Sequence, residues 1–365
     1  MKQFGAAILM ALTAFLLWGA ESRRKLWDLD LSIFAHHQTD MTSQVWGIRL
    51  SPDETKVAVG FGPSGNLDPR PRHVVVVAIE RPQTALHEFE LNITGAFWRS
   101  GNSIVWSPSG TILVARTQTP TMFRLGTEVP CVFPRESEFG GFLNEDRMVI
   151  HIRGSGPTNE IRILKSDCSL ADSWKIDGIV RVLDTSPEQD LLAIATFPNP
   201  PEHLALELVV SRTHDVKQRR MWDAGTIAGS GTFFSDEGRL VCGVNPRKGK
   251  PLPGAACWDT KTGAKTVEND KVGIDGVEST GGDLLAITDY KYISLPWWMT
   301  FWTFRDTGGN YSVPQRRLIW NVRTGKDVAS WGTTTKTNFV LSLSPTGKYV
   351  AEGGSGSVSV YAVQP

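Results

Sequence analysis

The chain has no excess of charge of either sign. Its 365 residues carry 38 Lys plus Arg against 38 Asp plus Glu. A surface that tracks phosphates shows as a basic excess, so nucleic-acid binding is excluded as the main activity. Cysteine is scarce, with four residues at 131, 168, 242 and 257, so a disulfide-framed mini-fold is excluded. No CxxC or Cys/His spacing suits zinc. No HExxH is present, since His87-Glu88-Phe89-Glu90-Leu91 lacks the second histidine. Walker A, GxSxG and GxGxxG patterns are missing as well, and Gly353-Gly-Ser-Gly-Ser357 reads as a turn. No long helical periodicity occurs outside the N-terminus. With 41% apolar and 21% charged residues, disorder and coiled coil are poor readings.

What is present begins with an apolar N-terminus. Phe4 to Ala20 is uncharged, follows Lys2, and ends at the small residues Ala20-Glu21-Ser22. This is the pattern of a secretory signal, assigned to residues 1–22. Arg23, Arg24 and Lys25 just beyond it favour the alternative, an uncleaved N-terminal anchor. Export to a secreted or periplasmic location is expected, and residues 23–365 are read as one domain.

Thirteen Trp, 35 Gly and 21 Pro lean toward short strands and tight turns. One pattern recurs: a strand, a Ser-Pro-Asp-Gly-like turn, then an apolar strand. Copies start at Ser51-Pro-Asp-Glu54, Ser107-Pro-Ser-Gly110, Leu143-Asn-Glu-Asp146, Ser186-Pro-Glu-Gln189, Ser235-Asp-Glu-Gly238, Thr280-Gly-Gly-Asp283 and Ser344-Pro-Thr-Gly347. Pro presets a turn dihedral, Ser or Asp bonds the local backbone, and Gly tolerates positive φ. A second turn, Trp258-Asp-Thr-Lys-Thr-Gly263 and Trp320-Asn-Val-Arg-Thr-Gly325, marks another strand pair, so each unit holds about four strands. The mean spacing, about 49 residues, is that of a propeller blade. After Ser344 only three strands fit, and Lys25–Ala35 reads as the missing fourth. The expectation is an all-β, seven-bladed propeller of four-stranded antiparallel blades, closed by the N-terminal strand completing the last blade.

On these turns the chain resembles the WD40/YVTN-like β-propeller superfamily, over roughly residues 25–365. It departs from the regular pattern: no Gly-His pair precedes the units, and Trp-Asp stands in the expected place only at Trp258-Asp259. The resemblance implies a rigid scaffold whose loops bind. Some families it resembles are lyases, lactonases or quinoprotein subunits that use the central channel, which keeps an enzyme or redox subunit as the alternative function.

Strand order puts the Ser-Pro and Thr-Gly turns on one face. The connections between the second and third strands of each unit lie on the other. The latter are long: Pro63–Arg72, Pro198–His203, Asn245–Gly254 and Tyr290–Arg317. Long loops on a rigid scaffold collect binding residues. The long-loop face carries Arg70, Arg72, Arg247, Lys248, Lys250, Arg316 and Arg317. The short-turn face carries Asp53, Glu54, Glu145, Asp146, Glu188, Asp190, Asp236, Glu237 and Asp283. Either the two faces differ in potential, or these are solvated charges.

The least ordinary segment is 290–317, where Trp297 to Phe304 packs five aromatics into eight residues. It reads as a partner or ligand platform, as an interfacial membrane finger, or as a cap folded over the channel. The expected function is non-catalytic binding of a protein or small ligand. The binding set is Trp297, Trp298, Phe301 and Trp302, with Arg70, Arg72, Arg247, Lys248 and Arg317 at the rim. Membrane contact through the N-terminal segment or residues 294–304 is a weaker rival. No catalytic residue, metal site or cofactor is assigned: His36, His37 and Asp40 read as solvated, and His73, His151 and His203 as scattered. Cys242 and Cys257 face each other if their strands pair, as a disulfide or as two buried thiols. Asn92-Ile-Thr94 and Asn310-Tyr-Ser312 are glycosylation sequons that carry meaning only in a eukaryotic secretory host.

Overall fold

The computed structural model describes residues 23–34, 43–63, 71–91, 103–116, 120–127, 131–134, 137–152, 158–177, 179–186, 191–197, 207–212, 215–223, 233–235, 237–245, 247–248, 250, 252–274, 277–294, 310–332 and 340–363. They build a β-propeller of small antiparallel sheets, each of four strands. In chain order the sheets span 43–91, 104–132, 137–177, 179–223, 233–269, 277–332 and 340–363. The last sheet holds three strands of its own, and Arg23–Asp30 pairs antiparallel with Ser357–Val363 as its outer strand.

The expectation of a seven-bladed propeller is corrected to six full blades. Six sheets are full blades, with outer strands of five to eleven residues. The second sheet is reduced, its outer strand being the two residues Cys131–Val132. Pro130 and Pro134 flank that strand, and a proline cannot donate to a ladder. No sheet closes on itself. Continuity between sheets comes instead from packing and from side-chain bonds across the seams.

The turn chemistry repeats atom for atom. Ser51, Ser107 and Ser344 are fully buried. Their Oγ atoms accept from the amides of Lys56 (2.9 Å), Ile112 (3.1 Å) and Tyr349 (3.0 Å). Their carbonyls accept from Glu54, Gly110 and Gly347. Those three residues have φ of 55°, 70° and 74°. Glycine supplies this conformation without strain at 110 and 347. The outer turn uses an Asx bond: Asp259 Oδ1 accepts from the amides of Lys261 and Thr262, as Asn321 Oδ1 does from Arg323 and Thr324.

Each middle strand lies between two neighbouring sheets, so it is buried on both faces and reads as a continuous apolar run. Val74 to Val77 and Ile112 to Ala115 are at most 1% exposed. Apolar clusters fill the seams. Trp46, Val74 and Val76 of the first sheet pack with Ile104, Leu113 and Phe123 of the second. At the other end of the chain, Leu29, Val340 and Val358 pack with Val45, Val57 and Val75 of the first. Burying a valine side chain contributes about 1.5–3 kcal/mol, so these seams carry most of the apolar stabilisation.

Innermost strands are also tied laterally. The Leu50 amide donates to Ser342 Oγ (3.1 Å), the Phe234 amide to Asp184 Oδ2 (2.8 Å), and Thr185 Oγ1 to the Phe142 carbonyl (2.8 Å).

The acidic turn residues do part of the same work. Glu145 Oε1 and Oε2 accept from Ser107 Oγ (3.0 Å), the Ser109 amide (2.8 Å) and Thr111 Oγ1 (2.8 Å), all on the preceding sheet's turn. Burial pushes the Glu145 carboxyl up, but these donors outweigh it and hold it below its ordinary value. Glu54 grips the last sheet's turn in the same manner, through the Thr346 amide (2.8 Å) and hydroxyl (2.7 Å). These two carboxylates are therefore staples between sheets, neither free solvated charges nor a docking surface. Glu145→Ala is expected to lower unfolding free energy by about 1–2 kcal/mol in urea titration. The exposed neighbour change Asp146→Ala should stay within about 0.5 kcal/mol.

Candidate functional site

The sixth sheet departs most from its neighbours. Its two middle strands, Leu284–Ser294 and Asn310–Asn321, are 11 and 12 residues long. The inner strand pairs only as far as Ile287, and the outer strand reaches Arg316. Beyond these points, among the described residues, the ladder pairs of Tyr290↔Pro314 through Ser294↔Asn310 join only these two strands. The expected loop of 290–317 is thus corrected: its first five and last eight residues are strand, forming a two-stranded ribbon that leaves the sheet. A bulge at Asp289/Tyr290 marks the departure.

An isolated two-stranded ribbon is marginal in water, so its base needs bracing. Asp289 supplies it: Oδ1 accepts from the Gly273 amide (2.9 Å), and Oδ2 from Arg316 Nε (3.2 Å). The Tyr290 amide donates to the Gly273 carbonyl. Arg247 braces the adjoining loops, with Nε on the Leu252 carbonyl (2.8 Å) and Nη1 on the Asp270 carbonyl (2.7 Å). Along the ribbon Lys291 and Tyr292 are exposed.

The proposed binding residues separate accordingly. Trp297, Trp298, Phe301, Trp302 and Arg70 lie outside the described residues, as do His36, His37, Asp40 and His203. Lys248 is exposed. Arg247 is half-buried, its guanidinium committed to its own loops. Arg72 and Arg317 are not rim residues at all, being 1% and 4% exposed. Both are buried strand residues. Arg317 Nη1 pairs with Glu352 Oε1 at 3.2 Å.

A second polar group involves Arg49 and Asp184 on the first strands of their sheets and Arg116 just after the second strand of its own. Arg49, Arg116 and Asp184, from the first, second and fourth sheets, are each partly exposed and act on one another's charge. Burial pushes Asp184 up to about 6, against the pull of the Phe234 amide and Arg116. Burial likewise brings Arg116 down to about 10. Glu138, on the third sheet, adds a carboxylate to the same field. Its cross-strand partner His151 is 1% exposed, with Nε2 2.9 Å from Asn159 Oδ1 and Nδ1 3.8 Å from Glu138 Oε2. His73 stacks on Phe61.

Sequence reasoning passed over this cluster, although a signal existed. Arg49 and Asp184 each stand two residues before the turn serine, Ser51 or Ser186, on strands that are otherwise largely apolar. Among the described residues no three His, Cys, Asp or Glu side chains come together as a metal site.

All four cysteines are paired. Cys242 and Cys257 stand directly opposite on adjacent strands of the fifth sheet and form a disulfide. Cys131 and Cys168 form a second, which joins the reduced second sheet to the third. The latter pair was not anticipated, because 37 residues and a sheet boundary separate its members.

No protein-family model matches the chain, and no curated protein matches it.

Proposed function

We propose that this β-propeller is an exported, non-catalytic binding module that captures a protein partner through the tip of the sixth-sheet ribbon. The carrying observation is the ribbon itself: ten residues in five cross-strand pairs extend two strands past their sheet, braced at Asp289. The chain between its arms, 295–309, holds Trp297, Trp298, Phe301 and Trp302. Such aromatics dominate binding hot spots because they bury much area at low rotamer cost. Lys248 and Arg70 serve at the rim in this reading, while Arg72, Arg247 and Arg317 are reassigned to support.

Two disulfides support export to a secreted or periplasmic compartment, since such bonds persist where the surroundings are oxidising. Membership of the WD40/YVTN-like superfamily is part of the same proposal, supported by the repeating Ser-Pro turns.

Replacing 295–309 by an Asn-Gly turn is expected to abolish recovery of the partner from native envelope extracts. The melting temperature should move by less than about 2 °C, since no sheet is touched. Undiminished partner recovery would overturn the reading. A fall of about 8 °C or more would instead show the aromatic segment capping the ring.

A further inference from the structure

We infer that the base of the sixth-sheet ribbon is a cationic docking surface for an acidic segment of the captured protein, centred on Lys248, Lys271 and Lys291. This rests on the reading of the ribbon as a partner-binding element. Three segments meet at Gly273. Its amide donates to Asp289 Oδ1 and its carbonyl accepts from the Tyr290 amide, which holds it against the ribbon. A Cβ added to Gly273 would lie 3.0 Å from Arg247 Nη2, 3.0 Å from the Tyr290 carbonyl oxygen and 3.1 Å from Leu252 Cβ, so the loop that holds Arg247 closes on the same point. Lys248 and Lys250 follow Arg247, Lys271 stands two residues before Gly273, and Lys291 lies on the ribbon. All four lysines are exposed, and among the described residues none is in an ion pair.

The charge does not cancel locally. Six cations, these four with Arg247 and Arg316, stand against two carboxylates, Asp270 and Asp289. Arg247 directs its donors at the neutral carbonyls of Leu252 and Asp270, which leaves its charge uncompensated. Glu268, which reaches this region through Asn245, is already paired with Lys265. A chain balanced overall at 38 against 38 thus concentrates positive charge beside the ribbon. Such a field steers a negative surface and rejects a positive one. The arginine forks, which suit phosphate, are engaged by Leu252, Asp270 and Asp289. The lysine ammoniums remain, compact charges that take a carboxylate from many directions. The ribbon's cross-strand pairs extend roughly 17 Å past the sheet. A flat bilayer or a rigid duplex is therefore held off the base, while a protein segment reaches it.

A fluorescent decaglutamate peptide serves as the probe, titrated into the full chain by anisotropy at low salt. Single-stranded DNA and phosphatidylglycerol vesicles form parallel arms. Saturable decaglutamate binding is expected, weakening as salt rises. Lys248→Glu, Lys271→Glu and Lys291→Glu together should weaken it at least tenfold. Lys165→Glu, Lys261→Glu and Lys326→Glu, exposed at turns between third and fourth strands, change the net charge equally and should leave it nearly unchanged. If the first set does not fold, glutamine at the same three positions should still weaken binding severalfold. Replacing 295–309 by the Asn-Gly turn should keep decaglutamate binding even where partner recovery is lost, so this surface and the ribbon tip fail separately. Absence of decaglutamate binding, equal weakening by the two sets, or tighter binding of DNA or vesicles would each overturn the proposal.

Discussion

Glu352→Ala is expected to cost about 3–5 kcal/mol of unfolding free energy, the largest loss from any single substitution considered. Glu352 lies on the last sheet, and its carboxylate gathers groups from three directions. Oε2 accepts from Arg23 Nη1 at 2.7 Å. Oε1 accepts from Trp331 Nε1 at 2.7 Å and from Arg317 Nη1 at 3.2 Å. The Arg23 guanidinium also lies over the rings of Tyr361 (3.7 Å) and Trp331 (4.4 Å). Arg23 belongs to the N-terminal strand, Arg317 and Trp331 to the sixth sheet, and Glu352 and Tyr361 to the last. Removing the carboxylate leaves two arginines largely buried without their counter-charge. The expected cost comes from those stranded charges rather than from the net worth of the ion pairs.

The same group has a pH signature. Burial pushes the Glu352 carboxyl up, but Arg317 and Arg23 outweigh it, so its folded pKa lies below the ordinary value. A depressed carboxylate contributes stability in full above its unfolded pKa and loses it as pH falls through the folded one. The difference between the wild type and Glu352→Gln should therefore be widest at neutral pH. It should shrink under acid, once the wild-type carboxyl is itself protonated. Urea titrations of both proteins across that range measure it, and a difference independent of pH would remove Glu352 as the charged centre of the seam.

The second large effect concerns the covalent tie of the reduced sheet. Replacing Cys131 and Cys168 by serine is expected to lower stability by about 3–4 kcal/mol, the chain-entropy value for a loop closed over 37 residues. Cys131 sits on a strand of two residues, so few ladder bonds remain to hold it once the sulfur link is cut. Hydrogen exchange should show protection lost first at Thr121 and Met122, the residues that pair with this strand. The pair Cys242→Ala and Cys257→Ala offers the contrast. It closes only 15 residues, inside a sheet whose ladder continues on both sides. Its loss should spread evenly over the fifth sheet, with no early local opening. Equal behaviour of the two double variants would show that the outer strand of the second sheet does not depend on its disulfide.

Much of the architecture is local and therefore written along the chain. A Ser-Pro turn needs only its own serine hydroxyl, a proline ring and a residue at positive φ, so Ser51, Ser107 and Ser344 announce their hairpins without reference to anything distant. A strand buried on both faces must be apolar throughout, which is why Val74 to Val77 reads as it does. The shortage of one strand after Ser344 likewise points to its supplier near the N-terminus, because an open sheet edge is a liability. The sites are another matter. A guanidinium is equally at home at a solvated rim or buried beside a carboxylate. The choice for Arg317 depends on Glu352, a contact between sheets that no local pattern encodes, and for Arg72 on its burial. Arg49, Arg116 and Asp184 come from three different sheets and act on one another's charge only because the ring brings those sheets together. Turn chemistry and apolar runs thus follow from interactions a few residues long, whereas each charged side chain takes its role from neighbours supplied by ring closure.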